Sequence, residues 1–308
     1  MNYSHAYSAL VSEYLSWLVG QQRMERYKQV KSGIILVSML IDGKKIAKDL
    51  EKHLLEKLQM LPTRKVRFLM FGDNASSRQF MSIKSRVAER LGISSEIHIF
   101  AHGTTTKEAC ELIDMLAGDD VHGVVVQLPL PHHIDTDQVI RQIPYDKDID
   151  VLDLTLSQRI LEEKSRMIPP VARAVMRVLE HAGIELVSKK ILIIGRGRLV
   201  GRAVAEYFDQ RGIEYEVVDI TTPLGERDQK ILSADIIIGG AGVPQMITHD
   251  MVKEGVILID AGTSEQEGTL VGDIHPECIK KASLLTPIPG GIGPITVISL
   301  FENLLHTK

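Results

Sequence analysis

Residues 76–92 read S-S-R-Q-F-M-S-I-K-S-R-V-A-E-R-L-G, and the apolar positions Phe80, Ile83, Val87 and Leu91 recur three and four apart, as on one face of a helix. Lys84 falls inside that stripe, so its ammonium points toward a core or a pocket. A partly desolvated amine there can trade a proton. The competing reading is a lysine whose stem covers apolar surface while its head reaches water. Two polar features fall where such an amine would meet them: Gln127, opening Q-L-P-L-P, and the acidic run D-K-D-I-D from Asp146 to Asp150.

A second constellation lies in K-K-I-L-I-I-G-R-G-R-L-V-G-R-A-V-A-E-Y-F, residues 189–208. It reads as a strand ending in Gly195, a turn holding Gly197 and a helix entered past Val200 through Gly201. The spacing is G-x-G-x-x-x-G, one residue longer than the common dinucleotide fingerprint, but the strand-turn-helix context is right. Amides at such a helix start can hold a pyrophosphate. Asp219 closes the next strand, about 20 residues on, where an acid usually bonds the adenosine ribose. Arg196, Arg198 and Arg202 either meet a 2′-phosphate or face solvent. Later apolar segments run Ala234–Gly242 and Gly255–Gly262, and glycines right after strands let a flat ring approach the backbone. The loop T-P-I-P-G-G-I-G, with Pro287, Gly290 and Gly291, is dense enough in proline and glycine to hold one shape and wall a pocket.

The elements that must position these residues alternate. A helix Gly43–Leu58, a strand Val66–Phe71, the lysine helix capped by Ser76 with Gln79 and closed by Gly92, a strand Glu96–Phe100, a helix Thr105–Leu116 and a strand Gly123–Leu128 follow in order. Continuous Val/Ile/Leu strands between helices predict an α/β fold with parallel sheets covered on both faces, where ligands sit beyond the carboxyl ends of the strands. A helix Pro170–His181 opens the second unit. The predicted domains are residues 39–150 with 292–308, and residues 151–291. Residues 1–38 carry a helical stripe from Tyr7 to Leu18 and a basic stretch, in the wrong order for a secretory signal, and read as a dispensable extension with Met39 a plausible start.

Composition narrows the partners. A net charge of −4 and the lack of long basic runs give no footprint for nucleic acid or a membrane surface. Two cysteines cannot build a disulfide framework, and His132-His133 reads as a solvated loop pair, leaving no metal site. A reduced, cytoplasmic protein acting on a small molecule is expected.

Together, H-G-V-V-V-Q-L-P-L-P (122–131), P-Y-D-K-D-I-D (144–150), L-V-G-D-I (270–274) and T-P-I-P-G-G-I-G-P-I-T (286–296) resemble the methylenetetrahydrofolate dehydrogenase/methenyltetrahydrofolate cyclohydrolase (FolD) family, from about Leu40 onward. The resemblance implies a folate-binding catalytic domain, a Rossmann domain for NADP, a last helix returning to the first domain, and a homodimer. It implies that Lys84 is the catalytic lysine, Gln127 its holder and Asp150 the pterin-binding acid. Phe80, Leu128, Pro129, Pro287, Gly290 and Gly291 would contact tetrahydrofolate derivatives, and Gly195, Arg196, Gly197, Val200, Gly201, Asp219, Gly242 and Thr263 the cofactor.

The chain departs from that pattern in places. Phe80 stands for a tyrosine, Val151-Leu152 for Gly-Phe, Met167-Ile168-Pro169-Pro170 for P-C-T-P, and Gly197 for a serine. Asp219 speaks for NAD, and the family and the arginines for NADP. Two alternatives stand beside the bifunctional enzyme: a folate-binding homologue that has lost cyclohydrolase or all activity, and a shikimate-dehydrogenase-like oxidoreductase.

Overall fold

The computed structural model describes residues 26–31, 34–153, 167–266 and 269–307. Strands Arg26–Lys31 (β1) and Ile34–Leu40 (β2) form an antiparallel hairpin. Helix Gly43–Leu58 (α1) follows, its Asp42 cap accepting from the Lys45 amide at 3.0 Å. The first lobe is a three-stranded parallel sheet in the order Ser94–Phe100 (β4), Lys65–Phe71 (β3), Gly123–Val126 (β5). Helices Ala75–Arg90 (α2), Thr106–Leu116 (α3) and Thr136–Arg141 (α4) belong to this lobe.

The lysine helix departs from its expected form twice. Its cap is Asn74, in extended conformation, whose side chain accepts from the Ser77 amide at 3.0 Å, so the Ser76–Gln79 box is not used. Its fully buried positions are Ser77, Met81, Val87 and Ala88, while Phe80, Ile83 and Lys84 are half-buried. The small residues Ser77 and Ala88 lie on the inward face. Phe80 and Lys84 stand on the flank of the buried stripe. The expected closing glycine holds: Gly92 adopts φ +70 just past the C-cap Leu91.

The second lobe opens with helix Pro170–His181 (α5). Its sheet has the order β1-β2-β12-β9-β8-β6-β7, with Ile191–Ile194 (β6), Glu216–Val218 (β7), Ile236–Gly239 (β8), Ile257–Asp260 (β9) and Leu284–Leu285 (β12), parallel except at β1. Helices Ala203–Asp209 (α6) and Leu224–Ser233 (α7) join successive strands, and a short hairpin, Ser264–Gln266 (β10) and Thr269–Val271 (β11), follows β9. Met39 and Leu40 pair with Leu284 and Leu285, so the boundary drawn at Met39 passes through a strand of the second sheet. The stripe Tyr7–Leu18 lies outside the described residues.

Helix Ile292–Glu302 (α8) packs against α1, α2 and α5, returning the chain end to the first lobe. It is apolar nearly all round because it has neighbours on several sides. Ile295, Ile298, Leu300 and Phe301 are buried, and the Phe301 ring meets Phe68 of β3 edge-on at 6.4 Å. Beyond it, buried Asn303 ties three segments. Its Nδ2 donates to Ile149 O (2.8 Å) and Ile168 O (2.9 Å), and its Oδ1 accepts from Ile168 N (3.1 Å) and Arg173 (2.8 Å). Arg173 also pairs with Glu302 at 3.3 Å.

The 148–153 turn that Asn303 touches is shaped by Asp148. This carboxylate is 5 % exposed and accepts from the amides of Leu152 (2.7 Å) and Asp153 (3.2 Å). Burial pushes its pKa up to about 7.

Asn303→Ala removes these four bonds and strands buried partners, and should lower unfolding free energy by about 3 kcal/mol or more in urea titrations. A loss under about 0.5 kcal/mol would show that the lobes are held without it. Asp148 binds a proton in the folded chain that the unfolded chain releases near pH 4, so its stabilising contribution is full below that pH and is lost as pH rises through about 7. Asp148→Asn keeps an acceptor and cannot ionise. Its melting temperature relative to wild type should therefore be higher at pH 8 than at pH 5; an equal difference at both would refute the assignment.

Candidate active site

Lys84 sits on the flank of α2 that faces the carboxyl end of β5, with its side chain 17 % exposed. Its Nζ is 3.4 Å from Gln127 Oε1 and 3.3 Å from Asp150 Oδ2. Gln127 follows the last residue of β5 and is itself held, donating from Nε2 to Leu128 O at 2.7 Å. Asp150 comes from the turn fixed by Asp148, so three separate segments converge on one amine. The expected meeting of Lys84, Gln127 and the acidic run is present, with Asp150 as the member of the run in contact.

This group opens onto a cavity of about 460 Å³ between the lobes. Phe80, Leu128 and Pro129 line its first-lobe side; Val200 and Thr263, with Arg198 and Ala261, line the other. From the Pro-Gly loop the wall takes Ile288, Ile292 and Gly293. The expected Pro287, Gly290 and Gly291 do not line it.

Gly195, Arg196, Gly197, Gly201, Asp219 and Gly242 do not line this cavity. They lie at the carboxyl ends of β6, β7 and β8. Gly195 takes φ +95, and a Cβ on Gly201 would stand 2.0 Å from Gly195 O, so the helix start closes directly on the turn. That first turn, Arg198–Arg202, is a π-helix capped by Gly197 with no side-chain hydrogen bond to its amides. The arrangement suits a diphosphate.

The three arginines separate. Arg198 crosses between the lobes, donating to Leu152 O at 3.3 Å and pairing with Asp137, so it is committed away from a 2′-phosphate. Arg202 is exposed. Arg196 Nε lies 2.6 Å from Asp219 Oδ2 while its side chain stays 66 % exposed. Bonds from the Thr221 hydroxyl and amide, and then Arg196, hold the Asp219 carboxyl below its usual range.

Sequence reasoning passed over two acids beside the cavity. Asp260 ends apolar β9 and lines the cavity wall; burial pushes its pKa up to about 7. Asp273 is fully buried under the Gly240–Val243 loop. The available signal is an acid closing a strand of isoleucines and leucine, Asp260, and the acid of the L-V-G-D-I motif, Asp273. Among the described residues, no cluster of His, Cys, Asp and Glu is arranged to hold a metal ion.

Comparison with known proteins identifies the two domains. The tetrahydrofolate dehydrogenase/cyclohydrolase catalytic-domain model matches residues 41–150, and the NAD(P)-binding-domain model of the same family matches residues 169–308. The bifunctional protein FolD of an Exiguobacterium species is 34 % identical over 278 residues, covering 88 % of this chain and 98 % of the relative. A crystal structure of the bifunctional FolD enzyme from Campylobacter jejuni superposes with a TM-score of 0.80 at 35 % identity, covering 86 % of this chain and 96 % of that one. The Trypanosoma brucei FolD enzyme, solved with NADP cofactor and inhibitor, gives a TM-score of 0.80 at 28 % identity, covering 87 % and 96 %. With both domain models matched in order and a relative 34 % identical over 88 % of this chain's length, the chain belongs to the tetrahydrofolate dehydrogenase/cyclohydrolase family.

Proposed function

We propose that the chain oxidises 5,10-methylenetetrahydrofolate to 5,10-methenyltetrahydrofolate with NADP and hydrolyses that product to 10-formyltetrahydrofolate. The observation that carries this reading is the Lys84 ammonium within reach of Gln127 and Asp150, on a cavity walled from the dinucleotide lobe by Val200 and Thr263. NADP, when bound, supplies the hydride acceptor that side chains lack. The carbon that gives up hydride lies between two nitrogens whose lone pairs share the resulting charge, so the protein's task is alignment and no strong base is required. Addition of water to the methenyl carbon does move protons. Lys84 first releases a proton to solvent and then, as the neutral amine, orients that water and takes its proton, with Gln127 fixing the amine. Asp150 supplies the counter-charge through Oδ2, and its second oxygen accepts from the pterin N–H groups. Phe80 stacks on the p-aminobenzoyl ring, Leu128 and Pro129 wall it, and Pro287, Gly290 and Gly291 keep the loop behind the wall in shape.

On the other lobe, amides of the Gly195–Gly201 turn hold the pyrophosphate, flanked by Val200 and the Gly242 loop. An arginine has five N–H donors, and Arg196 gives one to Asp219. The exposed terminal nitrogens remain for a 2′-phosphate. In this reading Asp219 orients the arginine, which removes the conflict between that acid and NADP.

A narrower reading, dehydrogenase without cyclohydrolase, draws support from two departures. Phe80 brings no hydroxyl to the lysine, and Val151 holds φ +50 while its side chain lines the cavity. We further propose a homodimer joined through the edge strand β4, where Ile97 and Ile99 are 43 % and 45 % exposed beside Met81 and Ser85. We assign its work to the cytoplasm, where Cys110 and Cys278 stay reduced.

Reduced cofactor, followed by absorbance, should accumulate faster with NADP than with NAD, and Arg196→Ala should erase that difference. Lys84→Met should slow hydrolysis of supplied methenyltetrahydrofolate by about 10²–10⁴-fold with NADPH binding unchanged; hydrolysis at the wild-type rate would refute the lysine's role. If the wild type already fails to hydrolyse, the narrower reading stands. Ile97→Arg with Ile99→Arg should convert the dimer to monomer in light scattering, and a persistent dimer would place the interface elsewhere.

A further inference from the structure

Asp260 and Asp273 have no part in the chemistry proposed above, yet they are the most completely satisfied acids near the cavity. Asp260 Oδ1 accepts from Gly262 N (3.2 Å) and Asp273 N (3.1 Å), and its Oδ2 from Ile274 N (2.9 Å). Asp273 Oδ2 accepts from Ala241 N (2.6 Å) and Gly242 N (3.2 Å), and its Oδ1 from Val243 N (2.9 Å). Each carboxylate therefore gathers three backbone amides, and one of Asp260's three is the amide of Asp273 itself. The glycines around them leave no slack. A Cβ on Gly262 would stand 2.2 Å from Asp273 Cγ, and one on Gly272 would stand 2.0 Å from Asp260 Oδ2.

Burying two neighbouring acids is costly until their bonds offset it, and capping a turn needs only one acceptor. The pair is better explained by what it aligns. Asp273 fixes the loop after β8, Ala241–Val243; Asp260 fixes the loop after β9, whose Ala261 and Thr263 line the cavity on the wall that carries Val200. The Asp260 amide also donates to Thr286 Oγ1 at 2.7 Å. Thr286 begins the loop whose Ile288 and Ile292 wall the same cavity. One bonded network thus runs from the Ala241–Val243 loop through both acids to the loop that enters α8.

We propose that Asp260 and Asp273 are positioning residues for hydride transfer: they set the depth of the wall formed by Ala261 and Thr263, against which the nicotinamide ring lies, and so its distance from the folate carbon. This inference rests on the dehydrogenase reading above. Misplacement by about 1 Å in such a geometry costs on the order of 10²-fold in rate, enough to explain keeping two buried acids.

Asp273→Asn retains the shape and one acceptor but turns an amide donor toward backbone N–H groups. Thr286→Val removes the hydroxyl acceptor without touching a buried charge, and Thr286→Ser restores it. The readouts are NADPH dissociation constant by fluorescence titration, tetrahydrofolate dissociation constant by calorimetry, and dehydrogenase kcat. Asp273→Asn should weaken NADPH by about tenfold and lower kcat by 10- to 100-fold, with tetrahydrofolate binding unchanged. Thr286→Val should show the same pattern more weakly, and Thr286→Ser should recover it. Variants that bind NADPH and turn over as wild type, or that lose tetrahydrofolate binding in step with NADPH, would overturn the proposal, the latter marking a purely structural role. A wild-type chain that transfers no hydride would instead overturn the dehydrogenase reading.

Discussion

A lysine that is mostly withdrawn from water must be given partners, and the position of Lys84 organises much of what surrounds it. An isolated buried ammonium is expensive, so the carboxylate of Asp150 and the amide oxygen of Gln127 have to arrive from elsewhere in the chain. They come from the carboxyl end of β5 and from the turn that follows α4. For the three to meet, β5 must lie beside β3, α2 must roll its small residues inward, and the turn from Asp148 to Asp153 must be rigid. Only the second of these is set by the lysine's own helix.

The cavity exists because two lobes are kept together at a fixed spacing. Helix α8 fills the seam with apolar side chains, Asn303 bonds to backbone on both sides of the 154–166 segment, and Arg198 spans the opening from the dinucleotide turn to Leu152 O and Asp137. Arg198 has a double position, in the first turn of the dinucleotide helix and in contact with the first lobe. A group seated at that helix start is therefore one residue removed from a direct interlobe bond, while Lys84 lies across the same cavity.

The alternation of apolar strands and helices was legible because strands such as β5, β6, β8 and β9 are buried on two faces, which writes continuous Val/Ile/Leu runs such as Ile191–Ile194 and Ile236–Ile238. Helices Gly43–Leu58 and Pro170–His181 matched residue for residue. The lysine cluster was legible since loops at the carboxyl ends of parallel strands share one edge. The cap of α2 was not, because Asn74 and Ser76 are both good caps and only backbone conformation chooses between them. Nor was β2: its pairing with β12 spans some 245 residues of sequence, and no local pattern encodes a partner so distant. Arg198 illustrates a third limit. As a residue type it fitted a phosphate, and only the packing of the lobes revealed an acceptor carbonyl within its reach.

Val151 shows how the site tolerates a locally unfavourable residue. A β-branched side chain at φ +50 is strained by about 1–2 kcal/mol relative to its ordinary conformations. Such strain persists only where neighbours over-determine the backbone. Here they do: Val151 N donates to Asp148 O at 3.1 Å, the next two amides are held by the Asp148 carboxylate, and Asn303 takes Ile149 O. The turn is thus fixed from both sides by bonds that do not involve the valine side chain, and the same bonds deliver Asp150 to Lys84. A glycine would relieve the strain but give up a buried side chain that closes part of the cavity floor. The rigidity that sustains Val151 is therefore the same rigidity that keeps the carboxylate within reach of the amine.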